Sequence, residues 1–314
     1  MKILFVTATR IGDAVLSTGL LSYLIARHPE ARIWVAAGPP AAPLFAGVPG
    51  VERVLVVEKK AASMHWLSLY AAVARTRWDL VVDLRGSALA WLLRAGERKM
   101  AGKGKPNTHR VRQLGALFGL DPPPSPTLWL TAEAEESAAS LVPPGPPVLA
   151  IGPTANWRGK QWRGENFAEL ARRLVAPDGV FAGARVAVLA AAHERAQAEP
   201  LLAAVPALDL VGKTDVLAAA AVVKSAAMFI GNDTGLMHIA AAVGTPTLGL
   251  FGPSPASRYA PWGRCTAVAQ TEIAPEAIHA AGFDHRTTDT LMDSLSVEQV
   301  EDAVRALWRR AEAA

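Results

Sequence analysis

The chain has 314 residues, 51% apolar and 19% charged, with a formal net charge of +4 and a single cysteine. This composition excludes a disordered chain, and Cys265 alone excludes a disulfide framework or a cysteine-based zinc cluster and fits a reducing compartment. The apolar start Ile3-Leu4-Phe5-Val6 is too short for a secretory signal. The most apolar run, Leu217 to Ile230, is broken by Lys224 before it reaches the ~18 residues of a membrane span, so the cytoplasm is the expected location.

In chain order, Lys2–Val6 reads as a buried strand and Ile11–Arg27 has helical period. Strands are expected at Arg32–Ala36, Val54–Val57 and Leu80–Asp83, with helices around Met64–Arg75 and Thr108–Phe118. Two breaker clusters follow, Asp121 to Pro126 and Val142 to Pro147, which read as semi-rigid spacers. The second is taken as the boundary between domains 1–143 and 144–314.

The alternation then restarts. Strands are expected at Val148–Ile151, Arg185–Ala190, Leu208–Val211, Met228–Ile230 and Thr247–Leu250. Helices are expected at Glu165–Leu174, from about Glu194, at Val216–Lys224 and at Leu236–Val243. Val268 to Asp293 reads as irregular, and Ser296–Arg310 as a last helix with a Ser296/Gln299 capping box. The pattern predicts two α/β domains with parallel sheets whose strand edges face a central cleft.

Several chemistries are excluded by motif. The first turn, Thr7 to Asp13, has one glycine and no G-x-G-x-x-G. Gly152 to Lys160 lacks Walker A spacing. No H-E-x-x-H, G-x-S-x-G or D-x-D is present. A metal site is therefore not expected, and a bound diphosphate would be met by backbone N–H groups, helix dipoles and basic side chains.

Four constellations remain. Asp13, after Gly12 at the start of the first helix, is either a general base for a hydroxyl or a helix N-cap. Lys160 lies between Trp157 and Trp162 in a loop after Thr154. It either neutralises a diphosphate, with Thr154 donating a hydrogen bond, or is solvated. Arg94, Arg98, Lys99, Lys103, Lys105, His109, Arg110 and Arg112 form a basic stretch. It suits an acidic acceptor, an anionic membrane surface or plain solvent, and without interleaved aromatics it does not suit nucleic acid. Asn232-Asp233-Thr234-Gly235 reads as an acidic turn opening a helix at a sheet's carboxyl edge, where phosphates bind. His238 on that helix either faces the phosphate or packs in the core.

Together these residues resemble glycosyltransferase family 9, the lipopolysaccharide heptosyltransferases. The resemblance rests on Ile11-Gly12-Asp13, on Ala155 to Trp162 as A-x-W-x-x-K-x-W, and on Asp233 to Ala241 as D-T-G-x-x-H-x-A-A. Gly244-Thr245-Pro246, Phe251-Gly252-Pro253, Asp83-Leu84-Arg85-Gly86 and Met292 to Val297 add to it. The chain departs from the family in having Ser17-Thr18-Gly19 where T-T-P is common, and in lacking cysteines from Gln270 to Asp289.

The resemblance implies a GT-B fold of two Rossmann-like domains, with the acceptor bound by the first and the donor by the second. It implies inverting transfer of a heptose from ADP-L-glycero-D-manno-heptose, with no cofactor and no required metal. Asp13 would be the base, and Lys160 and Thr154 would bind the leaving diphosphate. Asp233, Thr234, Gly235 and His238 would line the donor site, with Glu194 the candidate for the ribose. Gly12, Arg94, Arg98, Lys99 and Arg110 are the acceptor candidates. The expected partners are a nucleotide sugar, a saccharide or lipid-linked acceptor and the inner face of the inner membrane. Transfer of another nucleotide-activated sugar and sugar-nucleotide epimerisation remain open as alternatives.

Overall fold

The computed structural model describes residues 1–58, 64–102, 104–105, 107–272, 284 and 287–313; Lys103 of the basic stretch lies outside them. The chain divides into two compact units, Met1–Thr131 and Ala132–Ala314.

Unit 1 contains β1 (Lys2–Val6), α1 (Ile11–Arg27), β2 (Arg32–Ala37), β3 (Val51–Val56), α2 (Met64–Val73), β4 (Trp78–Asp83), α3 (Leu89–Leu92), β5 (Ala95–Met100) and α4 (Arg110–Ala116). Its described strands form one sheet of order β3-β2-β1-β4-β5, with every pairing parallel. Ile3 to Val6 are almost wholly buried, because crossover helices cover both faces of a parallel sheet and leave no polar side to the strand. The strand order reverses direction between β1 and β4, so the crevice at this sheet's carboxyl edge opens beside Thr7 and Asp83.

Two expectations change here. Arg98 and Lys99, read as part of a basic stretch, lie with Glu97 on β5, an edge strand paired with β4 through Leu80↔Glu97 and Val81↔Arg98. An edge strand needs no apolar alternation, so the sequence pattern conceals it. The first proline cluster is also no spacer. It packs on α1, where an added Cβ at Gly19 would collide with the carbonyls of Pro124 and Ser125. The Thr127 N–H donates to Thr18 Oγ1 at 2.9 Å. The departure at Ser17-Thr18-Gly19 thus forms the seat of the proline segment.

Unit 2 contains α5 (Ala132–Leu141), β6 (Val148–Gly152), α6 (Gly164–Val175), β7 (Arg185–Val188), α7 (Arg195–Ala204), β8 (Ala207–Asp209), α8 (Val216–Ser225), β9 (Met228–Asn232), α9 (Gly235–Ala242), β10 (Thr247–Phe251), α10 (Ala256–Tyr259), β11 (Thr266–Gln270) and α11 (Val297–Glu312). Its described strands form a parallel sheet of order β11-β10-β9-β6-β7-β8. The order reverses between β6 and β9.

The division between units falls before α5 rather than at 143/144, because α5 packs on α8 through buried Ala134 and Ala138 and a Glu135–Lys224 pair at 3.0 Å. The second proline cluster is pinned to β7: the Arg185 guanidinium donates to the carbonyls of Pro143 and Pro146 at 2.8 and 3.1 Å. β11 forms where irregular chain is expected. The capping box of α11 is present, with Ser296 and Gln299 satisfying each other's N–H groups. Fully buried Val300, Val304 and Leu307 dock this helix into the unit 2 core.

Candidate functional site

At the carboxyl edge of unit 1, α1 begins after Arg10, which makes no side-chain cap. Asp13 is therefore inside the first helical turn and not an N-cap. Its half-buried carboxylate has no hydrogen bond or ion pair among the described residues. Gly12 precedes it in the same turn. Opposite in the strand order, Asp83 is fully buried and accepts from Arg85 N, Ser87 N and Ser87 Oγ at 2.9, 2.8 and 2.5 Å. It closes the loop in which Gly86 takes a φ of +62°, a conformation open to glycine; an added Cβ there would also lie 2.6 Å from the Ala101 carbonyl.

The basic residues do not converge. Arg98 donates to the carbonyls of Ala90, Leu93 and Ala95 at 2.8, 2.7 and 3.2 Å, which makes it a bracket for the α3–β5 turn. Lys99 pairs with Glu97 at 3.0 Å and sits 5.4 Å from the Phe118 ring centroid. Arg110 reaches the Leu84 carbonyl and Gln113, each at 3.4 Å. His109 caps α4 through Nδ1. Arg94 and Lys105 are exposed.

The carboxyl edge of unit 2 is far more connected. Lys160 Nζ donates to Asp233 Oδ2 at 2.6 Å, with both side chains mostly buried. An ammonium has three N–H donors, so two remain for a ligand. Thr154 Oγ1 donates to Glu194 Oε2 at 2.9 Å, and the same oxygen accepts from Ala191 N at 3.1 Å. The hydroxyl proton expected to serve a phosphate is thus engaged by Glu194. Thr234 is the extended residue before α9, and no side chain caps that helix start. The first N–H groups of α9, from Gly235 on, therefore present a partial positive charge at the switch point. His238 is buried one turn further on.

Two features escaped the sequence reading. Fully buried Asn232 accepts from Trp162 N at 3.1 Å and donates to the Pro153 carbonyl at 2.8 Å. One side chain thus joins the turn after β6, the lysine loop and the start of the acidic turn. Its signal was an amide at a strand's carboxyl end, with no distinguishing spacing. The second feature is a strap from residues 289–295. Leu291 N donates to the Gly159 carbonyl at 3.2 Å, Thr290 Oγ1 donates to the Gln161 carbonyl, and Trp162 Nε1 donates to the Leu295 carbonyl at 2.8 Å. Asp289 pairs with Arg158 at 2.9 Å and Arg163 at 3.2 Å, while Arg163 also pairs with Asp293 at 2.6 Å. The Thr290 N–H, then Arg158 and Arg163, hold the Asp289 carboxyl down at about 2, and its acidic partners push the Arg163 guanidinium's pKa up. Trp162 is buried edge-to-face on Phe167 at 4.9 Å, so it is core beneath α6. Among the described residues, no three His, Cys, Asp or Glu side chains converge to hold a metal.

The two Rossmann-like parallel-sheet units have the GT-B class of fold shared by solved heptosyltransferases. The chain belongs to glycosyltransferase family 9 (heptosyltransferase), whose model matches residues 85–279, well over half of its length. Lipopolysaccharide heptosyltransferase 2 of Salmonella typhimurium is 25% identical over 295 residues, 81% of this chain and 83% of that protein. The glycosyl transferase family 9 structure from Veillonella parvula superposes with a TM-score of 0.80 at 19% identity, covering 98% of this chain and 97% of that one. The E. coli ADP-heptose lps heptosyltransferase II structure gives 0.77 at 21% identity, covering 99% and 100%. The protein is thus a glycosyltransferase. The family match contains Thr154, Lys160, Glu194 and Asp233 to His238, while Asp13 lies outside it.

Proposed function

We propose that this enzyme transfers a heptose, with inversion, from ADP-L-glycero-D-manno-heptose to a lipopolysaccharide core acceptor at the cytoplasmic face of the inner membrane. The observation that carries the donor half is Lys160 held by Asp233 beside the uncapped start of α9. The relatives named as lipopolysaccharide heptosyltransferases and the ADP-heptose enzyme of the same fold support the choice of sugar and nucleotide.

In this reading Asp13 takes the proton from an acceptor hydroxyl. The hydroxyl oxygen forms a bond to the anomeric carbon as the bond from that carbon to the diphosphate oxygen breaks, and ADP leaves with the electron pair. The free N–H groups of Lys160 and the N–H groups of Gly235 and its successors balance the charge that grows on the diphosphate. No metal is required for that balance. Asp233 acts by holding Lys160 and would repel an anion if it faced one directly. Glu194 Oε1 accepts from the ribose hydroxyls while Oε2 stays on Thr154. Arg94 remains an acceptor candidate as an exposed residue, whereas Arg98 acts on the fold.

The test is calorimetric titration with ADP, UDP, GDP and their sugar conjugates in the presence of a chelator. Tight binding of ADP and ADP-heptose alone is expected. Preference for UDP or GDP would overturn the donor assignment and leave the family untouched. Product analysis with and without acceptor separates transfer from epimerisation.

A further inference from the structure

We infer that the outer faces of α2 and α3 dock on an anionic phospholipid surface. Met64, Leu67 and Tyr70 on α2 and Trp91 and Leu92 on α3 are exposed by 55, 65, 37, 70 and 65%. The other large apolar side chains that are exposed among the described residues are Met1 and Val56, so unit 2 contributes none. Such concentration on two short helices differs from the single scattered apolar residues of an ordinary surface.

The two helices are neighbours. Their inner residues, Leu69 and Val73 from α2 and Leu89, Ala90 and Leu93 around α3, share one buried cluster with β4. The Arg85 guanidinium, in the loop before α3, lies 4.8 Å from the Trp66 ring centroid on α2. The helix α2 is therefore apolar on both its buried and its exposed side. In a soluble protein that pattern calls for a second apolar phase.

Charge selects the occupant. Residues 64–77 and 84–95 contain no Asp or Glu and carry Arg75, Arg77, Arg85 and Arg94. Two copies of such a face would oppose arginine to arginine, whereas an anionic bilayer complements it. Tryptophan and arginine are also the side chains suited to a headgroup boundary, where a ring or an aliphatic stem is buried and the polar tip stays wet. This surface goes beyond the reaction proposed above and does not depend on which sugar is transferred.

Flotation of the purified full chain tests it. Vesicles of phosphatidylglycerol and phosphatidylethanolamine, free of any glycolipid, are compared with phosphatidylcholine vesicles. Binding to the anionic vesicles about tenfold or more above the neutral ones, falling with salt, is expected. The variant Leu67→Ser/Trp91→Ser/Leu92→Ser should lose about tenfold or more of that binding with its unfolding midpoint and ADP affinity unchanged. Arg75→Gln/Arg77→Gln should weaken binding and flatten its salt dependence. Equal flotation of the triple variant would overturn the inference. So would wild-type protein that ignores anionic vesicles, binds only those carrying a glycolipid acceptor, or instead forms a concentration-dependent dimer that the triple variant abolishes.

Discussion

The switch points of the two sheets occupy the same topological place and are finished in opposite ways. At β1/β4 the exposed part of the edge is bare: Asp13 has no partner among the described residues, and buried Asp83 is turned inward to close its own loop. At β6/β9 the side chains are tied to one another, with Lys160 on Asp233, Thr154 on Glu194, and Asn232 bridging two loops. The difference suits the two tasks proposed for these edges. A general base must hold an accessible lone pair, so a partner would lower its basicity. A group that balances charge on a leaving diphosphate works best when its position is fixed before the charge appears.

The contrast can be broken from either side, and the largest effect is expected at the bare edge. Asp13→Ala should lower kcat by about 10² to 10⁴, with ADP affinity and the unfolding midpoint nearly unchanged because no interaction is removed. Full activity would remove Asp13 from the reaction. At the connected edge the order inverts. Asn232→Ala leaves the Trp162 N–H and the Pro153 carbonyl buried without a partner, a cost of about 2–4 kcal/mol. Chemical denaturation should show it, and kcat/KM should fall through displacement of Lys160.

A smaller loss is expected from Lys160→Met, which removes donors to the diphosphate and strands the Asp233 carboxylate. ADP affinity should drop about 10- to 100-fold. Asp233→Asn added to that variant should recover stability but not ADP affinity. If the double variant binds ADP like wild type, the lysine is structural.

The smallest effect belongs to the strap. The Asp289 carboxyl is held at about 2 against an ordinary 3.8, so its contribution is fully present above pH 3.8 and is lost as pH falls through about 2. Asp289→Asn should therefore lower the melting temperature slightly at neutral pH. The difference from wild type should close between those two values. A difference that stays undiminished from neutral pH down to pH 2 would mean that the side chain acts by packing rather than by charge.

The residues that made the chain legible were those whose role is local. Continuous apolar runs marked the buried strands, and Asp233-Thr234-Gly235 after one of them marked the helix start at a sheet edge. What stayed hidden depends on distant partners. β5 is charged because its outer edge faces solvent, and α5 shows little apolar periodicity because it packs by small alanines on α8. The Lys160–Asp233 pair joins residues 73 positions apart, and no spacing rule links them. The proline cluster at 121–126 reads as a linker by composition, and only the missing side chain at Gly19 shows where it lies.

The strap also orders events in time. Trp162 and Leu295 are 133 residues apart in the chain, yet their hydrogen bond helps fix the loop that carries Lys160. During synthesis, β6 and the lysine loop emerge long before the residues that hold them, whereas the contacts internal to unit 1 need no residue beyond 131. Unit 1 can therefore mature while unit 2 is still being made, and a ribosome stalled anywhere before residue 289 would display a partial unit 2 whose lysine loop lacks its strap. The loop that carries Lys160 is among the last parts of unit 2 to be secured.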